Sequence, residues 1–136
     1  MKLLALLLTL FFSSLAFAAT PTFDQNKAIQ KAGSLVDSSK TMFHMFYIPA
    51  NSPIDSTVSR LTQYLQNSAA IQASLGILGP DYNLNYKLIK AALAASPKES
   101  LEGIQIIYIG NSEHFEEIGR LATSTGAKLS TSTCCD

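Results

Sequence analysis

The 136-residue chain sets ten lysines and arginines against ten aspartates and glutamates, and 47% of its residues are hydrophobic. That length suits one domain. A zero formal charge with no Lys/Arg cluster excludes nucleic-acid or anionic-lipid recognition through a bulk positive field.

The chain opens on an export signature. Lys2 precedes an apolar run over 3–12 broken only by Thr9, and Ala16-Phe17-Ala18 puts small residues at both recognition positions of a signal peptidase. The run falls short of the roughly 20 residues that cross a bilayer. It is therefore expected to be a leader (1–18) cleaved near Ala18, leaving a soluble periplasmic or secreted protein with no transmembrane segment. No cysteine follows the cut, which argues against a lipid anchor. Neither Asn51-Ser52-Pro53 nor Asn111-Ser112-Glu113 is a glycosylation sequon, which fits a bacterial envelope.

Residues 19–131 are expected to form a single α/β domain, with 132–136 a flexible tail. Asp24 is placed to cap a helix through about Ser39, with Ile29, Ala32, Leu35 and Val36 on one stripe. Residues 41–48 are aromatic and apolar on both faces, which reads as a central buried strand ended by Pro49. Ser52-Pro53-Ile54-Asp55 offers a capping serine and a proline at the first helical position. Ile54, Val58, Leu61 and Leu65 then give that helix one apolar side. Asn67 and Ser68 are expected to restart a second helix carrying Ile71, Leu75 and Leu78, closed by Gly79-Pro80. Another runs from about Tyr82 to Ala95, and Ser96-Pro97-Lys98-Glu99 opens a short helical turn that Gly103 stops.

Residues 104–109 (IQIIYI) form the strongest strand pattern. Gly110-Asn111-Ser112 follows as turn and N-cap, and Phe115, Ile118 and Ala122 mark a helix ending at Gly126. Residues 127–131 supply a last strand. The expected fold is a small α/β layered domain with about five helices and a short, mostly parallel sheet (strands near 41–48, 104–109 and 127–131).

A weak internal echo links two parts of the chain. Tyr47-Ile48, Asn51-Ser52 and Arg60-Leu61 recur as Tyr108-Ile109, Asn111-Ser112 and Arg120-Leu121. Two strand-turn-helix units opening on one sheet edge would place both Asn-Ser turns where open α/β folds bind ligands. The plainer account is that any such unit needs a polar cap. The candidate ligand residues are accordingly Asn51, Ser52, Gly110, Asn111, Ser112 and His114. Tyr64, Tyr82 and Tyr86, with Asn83 and Asn85, are the candidate partner surface, since Tyr and Asn make adaptable contacts.

Catalytic machinery is thin. His44 sits in a strand expected to be buried, and His114 sits in a helix first turn beside Glu113 and Glu116; an enzyme would have to use one of them. There is no metal-ligand spacing, nucleotide fingerprint or serine-hydrolase elbow, and no cofactor is implied. Cys134 and Cys135 are adjacent, which allows a redox or cross-linking role or only a paired tail. The expected function is an exported, non-catalytic binding or accessory protein that recognises an envelope protein or a small ligand. A small periplasmic enzyme is the rival, and a thiol role comes third.

Overall fold

The computed structural model describes residues 23–134; the expected leader and Cys135 lie outside the described residues. Four strands form one sheet in the order β1 (Phe43–Tyr47), β2 (Ser74–Leu78), β3 (Gln105–Ile109), β4 (Lys128–Ser132), every neighbouring pair parallel. Helix α1 (Gln25–Ser34) precedes the sheet, and α2 (Ile54–Ala70), α3 (Tyr82–Ala94) and α4 (Phe115–Ser124) are the crossovers. Right-handed crossovers between successive neighbours must all fall on the same face. They do: Leu61 and Leu65 of α2, Leu88 and Ile89 of α3, and Ile118 of α4 share one buried cluster with Phe46, Leu75, Ile77, Ile106 and Tyr108.

On the opposite face, among the described residues, the covering helix is α1, with Phe23, Leu35 and Val36 flanking it. Ala28 and Ala32 pack on Leu78, Ile107 and Ile109, with Phe43 close by. The period-2 alternation of the strands explains the split. Odd residues of β3 face α1 and even residues face the three crossovers. Both sides of β2 and β3 are therefore buried, which is why they read as continuous apolar runs.

One polar side chain ties α1 to the sheet. Gln105 is 1% exposed on the α1 face. Its Oε1 accepts from the Asp37 backbone N–H (2.8 Å) and the Ser74 hydroxyl (2.7 Å). Its Nε2 donates to the Leu35 carbonyl (2.8 Å) and Ser130 Oγ (3.0 Å). The end of α1 is thus fastened across three strands. Beside it Lys128 Nζ lies 2.9 Å from the Asp37 carboxylate, and the hydrogen bond from Lys128, with those from Ser39, lowers the Asp37 pKa to about 2.

Asp24 caps α1 as expected, accepting from Lys27 N–H (3.1 Å); Asp81 caps α3 in the same way, accepting from Leu84 N–H (3.0 Å). Gly126, at φ +85°, ends the α4 region in a left-handed conformation.

Other expectations are corrected. Residues 74–78 are a strand, not the end of a second helix. α2 runs on to Ala70, and Gln72 at φ +53° breaks it. β1 is consequently an edge strand rather than a central one, and β2 separates it from β3. Among the described residues the α-helix count falls to four, α1 stops at Ser34, and 98–103 is a turn. Pro53, not Ser52, is the N-cap of α2; the Ser52 hydroxyl instead donates to the Pro49 carbonyl (2.6 Å) within the preceding turn. β4 extends to Ser132, one residue into the segment expected to be tail.

Candidate recognition site at the carboxyl edge of the sheet

Because all four strands are parallel, their carboxyl ends share one edge, and every loop leading into a crossover helix lies there. Asn51-Ser52 follows β1 and Gly110-Asn111-Ser112 follows β3. The intervening β2 keeps these turns two strand spacings apart, about 10 Å. They do not form one site.

The β3 turn does border a concavity. Gly110, Asn111, Ser112 and Glu113 line a cavity of about 370 Å³ with Tyr82 from the start of α3 and Thr133 just beyond β4. The Tyr82 hydroxyl donates to the Cys134 carbonyl, and its ring meets Phe23 edge-on with centroids 6.5 Å apart. That wall is therefore braced from both termini of the described chain. Cys134 is disulfide-bonded.

His114 ends the short 3-10 turn Ser112–His114 and stacks on Tyr86, with centroids 3.7 Å apart and planes 13° from parallel. The Tyr86 hydroxyl donates to Glu117 (2.6 Å), whose other oxygen is 2.8 Å from Lys90 Nζ. The Lys90 hydrogen bond lowers the Glu117 pKa, and the Glu117 hydrogen bond raises those of Tyr86 and Lys90. All four side chains hold one another in place across α3 and α4, and the phenol is kept protonated as a donor. His114 Nε2 is also 3.3 Å from the Glu113 carboxylate; Glu113, 70% exposed, lines the cavity and His114 does not.

The sequence-derived tyrosines do not form one cluster. Tyr82 walls the cavity and Tyr86 stacks beneath His114, whereas Tyr64 lies on α2 edge-on to Phe46 (5.1 Å) at the far edge of the sheet. His44, on edge strand β1, is half-buried rather than in the core. Asn51 is exposed at φ +64° and Ser52 is engaged in its own turn; neither lines the cavity.

Two buried residues support this edge from below: Tyr108, which sequence reasoning gave no role, and Asn85, which it placed on the partner surface and which is 0% exposed instead. Tyr108 is fully buried, and its hydroxyl lies 2.7 Å from where a Cβ on Gly110 would sit. Burial first, then Tyr86 and Tyr82, push its pKa up to about 12. Asn85, also fully buried, donates from Nδ2 to the Gly79 carbonyl (3.0 Å). A Cβ at Gly79 would come within 2.4 Å of the Ile48 carbonyl oxygen and 2.8 Å of Asn85 Oδ1. Glycine at 79 and 110 is thus demanded by close approach. Gly79-Pro80 and Gly110-Asn111 were visible as turns, but nothing in the sequence said what they cover.

A larger trough of about 840 Å³ runs between α4 and β4, lined by residues that include Phe115, Arg120, Lys128 and Leu129. It is the open groove left where a sheet ends against its last helix, and it contains none of the candidate residues. Among the described residues no group of three or more His, Cys, Asp or Glu is placed to hold a metal ion, and no helix is long and apolar enough to cross a membrane. No protein-family model, curated protein or solved structure matches the chain.

Proposed function

We propose that the chain is an exported, non-catalytic binding protein of the bacterial envelope that takes a small polar ligand at the carboxyl edge of its sheet. The observation that supports this is the meeting of Tyr82, Gly110, Asn111, Ser112, Glu113 and Thr133 around one cavity. The volume sits at the small end of ligand pockets. Asn111 and Ser112 offer hydrogen bonds, Tyr82 an apolar wall, and Glu113 a negative charge. Glu116 and Glu117 lie just along the same helix start, so the site suits an amine or amide and repels phosphate.

The test is amide chemical-shift mapping of the exported protein against amine- and amide-bearing fragments. Shifts are expected at Gly110–Glu113 and Thr133, abolished by Asn111→Ala with Glu113→Gln. Fragments that leave this segment unmoved, or move only β1 and α2, overturn the reading. The mass of the exported protein should place its start near Ala19.

A small enzyme using His114 is the second reading, favoured by the 3.3 Å contact with Glu113. It requires turnover of a bound fragment that His114→Ala removes. A thiol role for Cys134 and Cys135 requires that replacing both by serine alters binding.

A further inference from the structure

The two edges of the sheet differ in kind. β4 presents Lys128, Ser130 and Ser132 toward the α1 side. β1 presents Phe43, Met45 and Tyr47 there, and α1 packs chiefly on β2 and β3, reaching β1 at Phe43. Among the described residues, the exposed large apolar side chains are Met42, Met45, Tyr47, Ile54, Tyr64 and Ile71. Every one belongs to β1, α2 or the residue flanking them. Among the described residues the exposed large apolar side chains thus fall on the edge strand and on the helix that follows it, and this edge is the candidate interaction face.

Among the described residues no strand pairs with the outer side of that edge. Ser74 N–H donates to the Met42 carbonyl and Ile48 N–H donates to the Leu78 carbonyl, so even-numbered residues of β1 turn their polar groups toward β2. Phe43, Met45 and Tyr47 turn theirs outward. Edge strands are normally protected by lysine, proline or a bulge. β1 has none, and residues 41–54 contain no Lys, Arg, Asp or Glu.

We infer that β1 is the interface of a two-fold symmetric dimer, pairing antiparallel with β1 of a second copy of this chain about Met45. The argument for a second copy is self-complementarity, which a closed two-fold interface demands. The strand reads aromatic, His, Met, Phe, aromatic. Centred on Met45, Phe43 of each copy lies opposite Tyr47 of the other, and His44 opposite Phe46. The outward N–H and C=O of all three odd residues are then satisfied in this register. Along the sequence the flanking charges, Lys40 before the strand and Asp55 after it, are of opposite sign, while Arg60 of α2 lies over the Phe46 ring, 5.6 Å from its centroid. Antiparallel pairing brings the Lys40 end of one copy to the Asp55 end of the other, whereas parallel pairing would set like against like. At the dyad the two Met45 Cα atoms would be about 5.5 Å apart. The result is a continuous eight-stranded sheet. The carboxyl edges of its halves point in opposite directions, so the two cavities stay separate and unobstructed.

Sedimentation velocity of the exported protein across a dilution series tests this. A concentration-dependent dimer is expected. Met45→Lys and Met45→Glu should each raise the dimer dissociation constant by about 30-fold or more, as loss of a central interface residue does. Mixing the two variants should restore a dimer that contains one of each. Met45 is 38% exposed, so both variants should keep the wild-type circular dichroism and urea midpoint. Thr123→Lys, an exposed change near the opposite edge, should leave the dimer intact. A protein monomeric at every concentration overturns the inference, whether the patch is left bare or covered by another protein or by residues 19–22. So does a dimer that survives both charge variants, or variants whose mixture stays monomeric. None of these outcomes bears on fragment binding at the cavity.

Discussion

Replacing Gln105 with methionine keeps the length and unbranched shape of the side chain while deleting all four of its hydrogen bonds. The Ser74 hydroxyl, 0% exposed, is left without its acceptor, which costs about 2 kcal/mol. The Leu35 carbonyl, the Asp37 N–H and Ser130 Oγ lie on half-buried residues that water reaches in part. Together they add about 2 kcal/mol. The better desolvation of a thioether offsets about 1 kcal/mol. The net loss is about 3 kcal/mol, or roughly 12 °C in melting temperature for a domain of this size. Urea denaturation gives the first figure and calorimetry the second. Hydrogen exchange tells where the loss falls: α1 amides should open more readily than those of β3, because the broken bonds are the ones that fasten α1. Adding Ser74→Ala should recover part of the loss by removing the stranded hydroxyl. A loss below about 1 kcal/mol with α1 as protected as before would refute the reasoning, and would mean that Ala28 and Ala32 hold the helix by packing alone.

The Asp37 carboxyl has a pKa depressed to about 2, so its stabilising contribution is present at neutral pH and is lost as pH falls from the ordinary carboxylate range toward 2. The urea midpoints of wild type and Asp37→Asn should therefore differ at pH 7 and converge at pH 2. Tyr108 runs the other way: its raised pKa favours the folded state fully below pH 10 and progressively less as pH climbs to about 12. Phenolate absorbance should show one of the five tyrosines ionising only as the protein unfolds. Gly79→Ala should cost about 2 kcal/mol or more through collision with the Ile48 carbonyl, whereas Gly33→Ala, on an exposed face of α1 with nothing nearby, should gain about 0.5–1 kcal/mol; paired urea melts check both signs.

What the sequence revealed followed the strength of its periodic signals. The crossovers α3 and α4 and the strand at 104–109 were legible because caps such as Asp81 and Gly126 bracket clear apolar patterns. β2 was not. Ile71, Leu75 and Leu78 fall at helical spacing, and a five-residue strand buried on both faces has no alternation to betray it. Gly76 was the available clue, since the Phe43 ring packs where its Cβ would lie, 3.2 Å away. Missing β2 made β1 look central and set the two Asn-Ser turns side by side. Gln105 stands within an apolar strand, and its partners come from the segment after α1, from β2 and from β4, contacts that no local pattern can announce.

Strand order also decides where a cavity can form. A doubly wound sheet opens a crevice where adjacent crossovers leave toward opposite faces. The order β1-β2-β3-β4 has no such point, because α2, α3 and α4 all lie on one side. The gap between the Asn51 and Asn111 turns is therefore occupied by the β2 end and Gly79, pressed under Ile48 and Asn85. The second wall is Tyr82 with Thr133, and what braces it comes from the start of the described chain. α1 runs opposite to the strands, with its end fastened by Gln105 at the amino edge and its start at the carboxyl edge. There Phe23 meets Tyr82, and Tyr82 meets Cys134. The echo in sequence thus does not make two equivalent sites. The β3 turn borders a cavity because Tyr82, braced by Phe23 and Cys134, and Thr133 stand over it; among the described residues the β1 turn lines no such cavity.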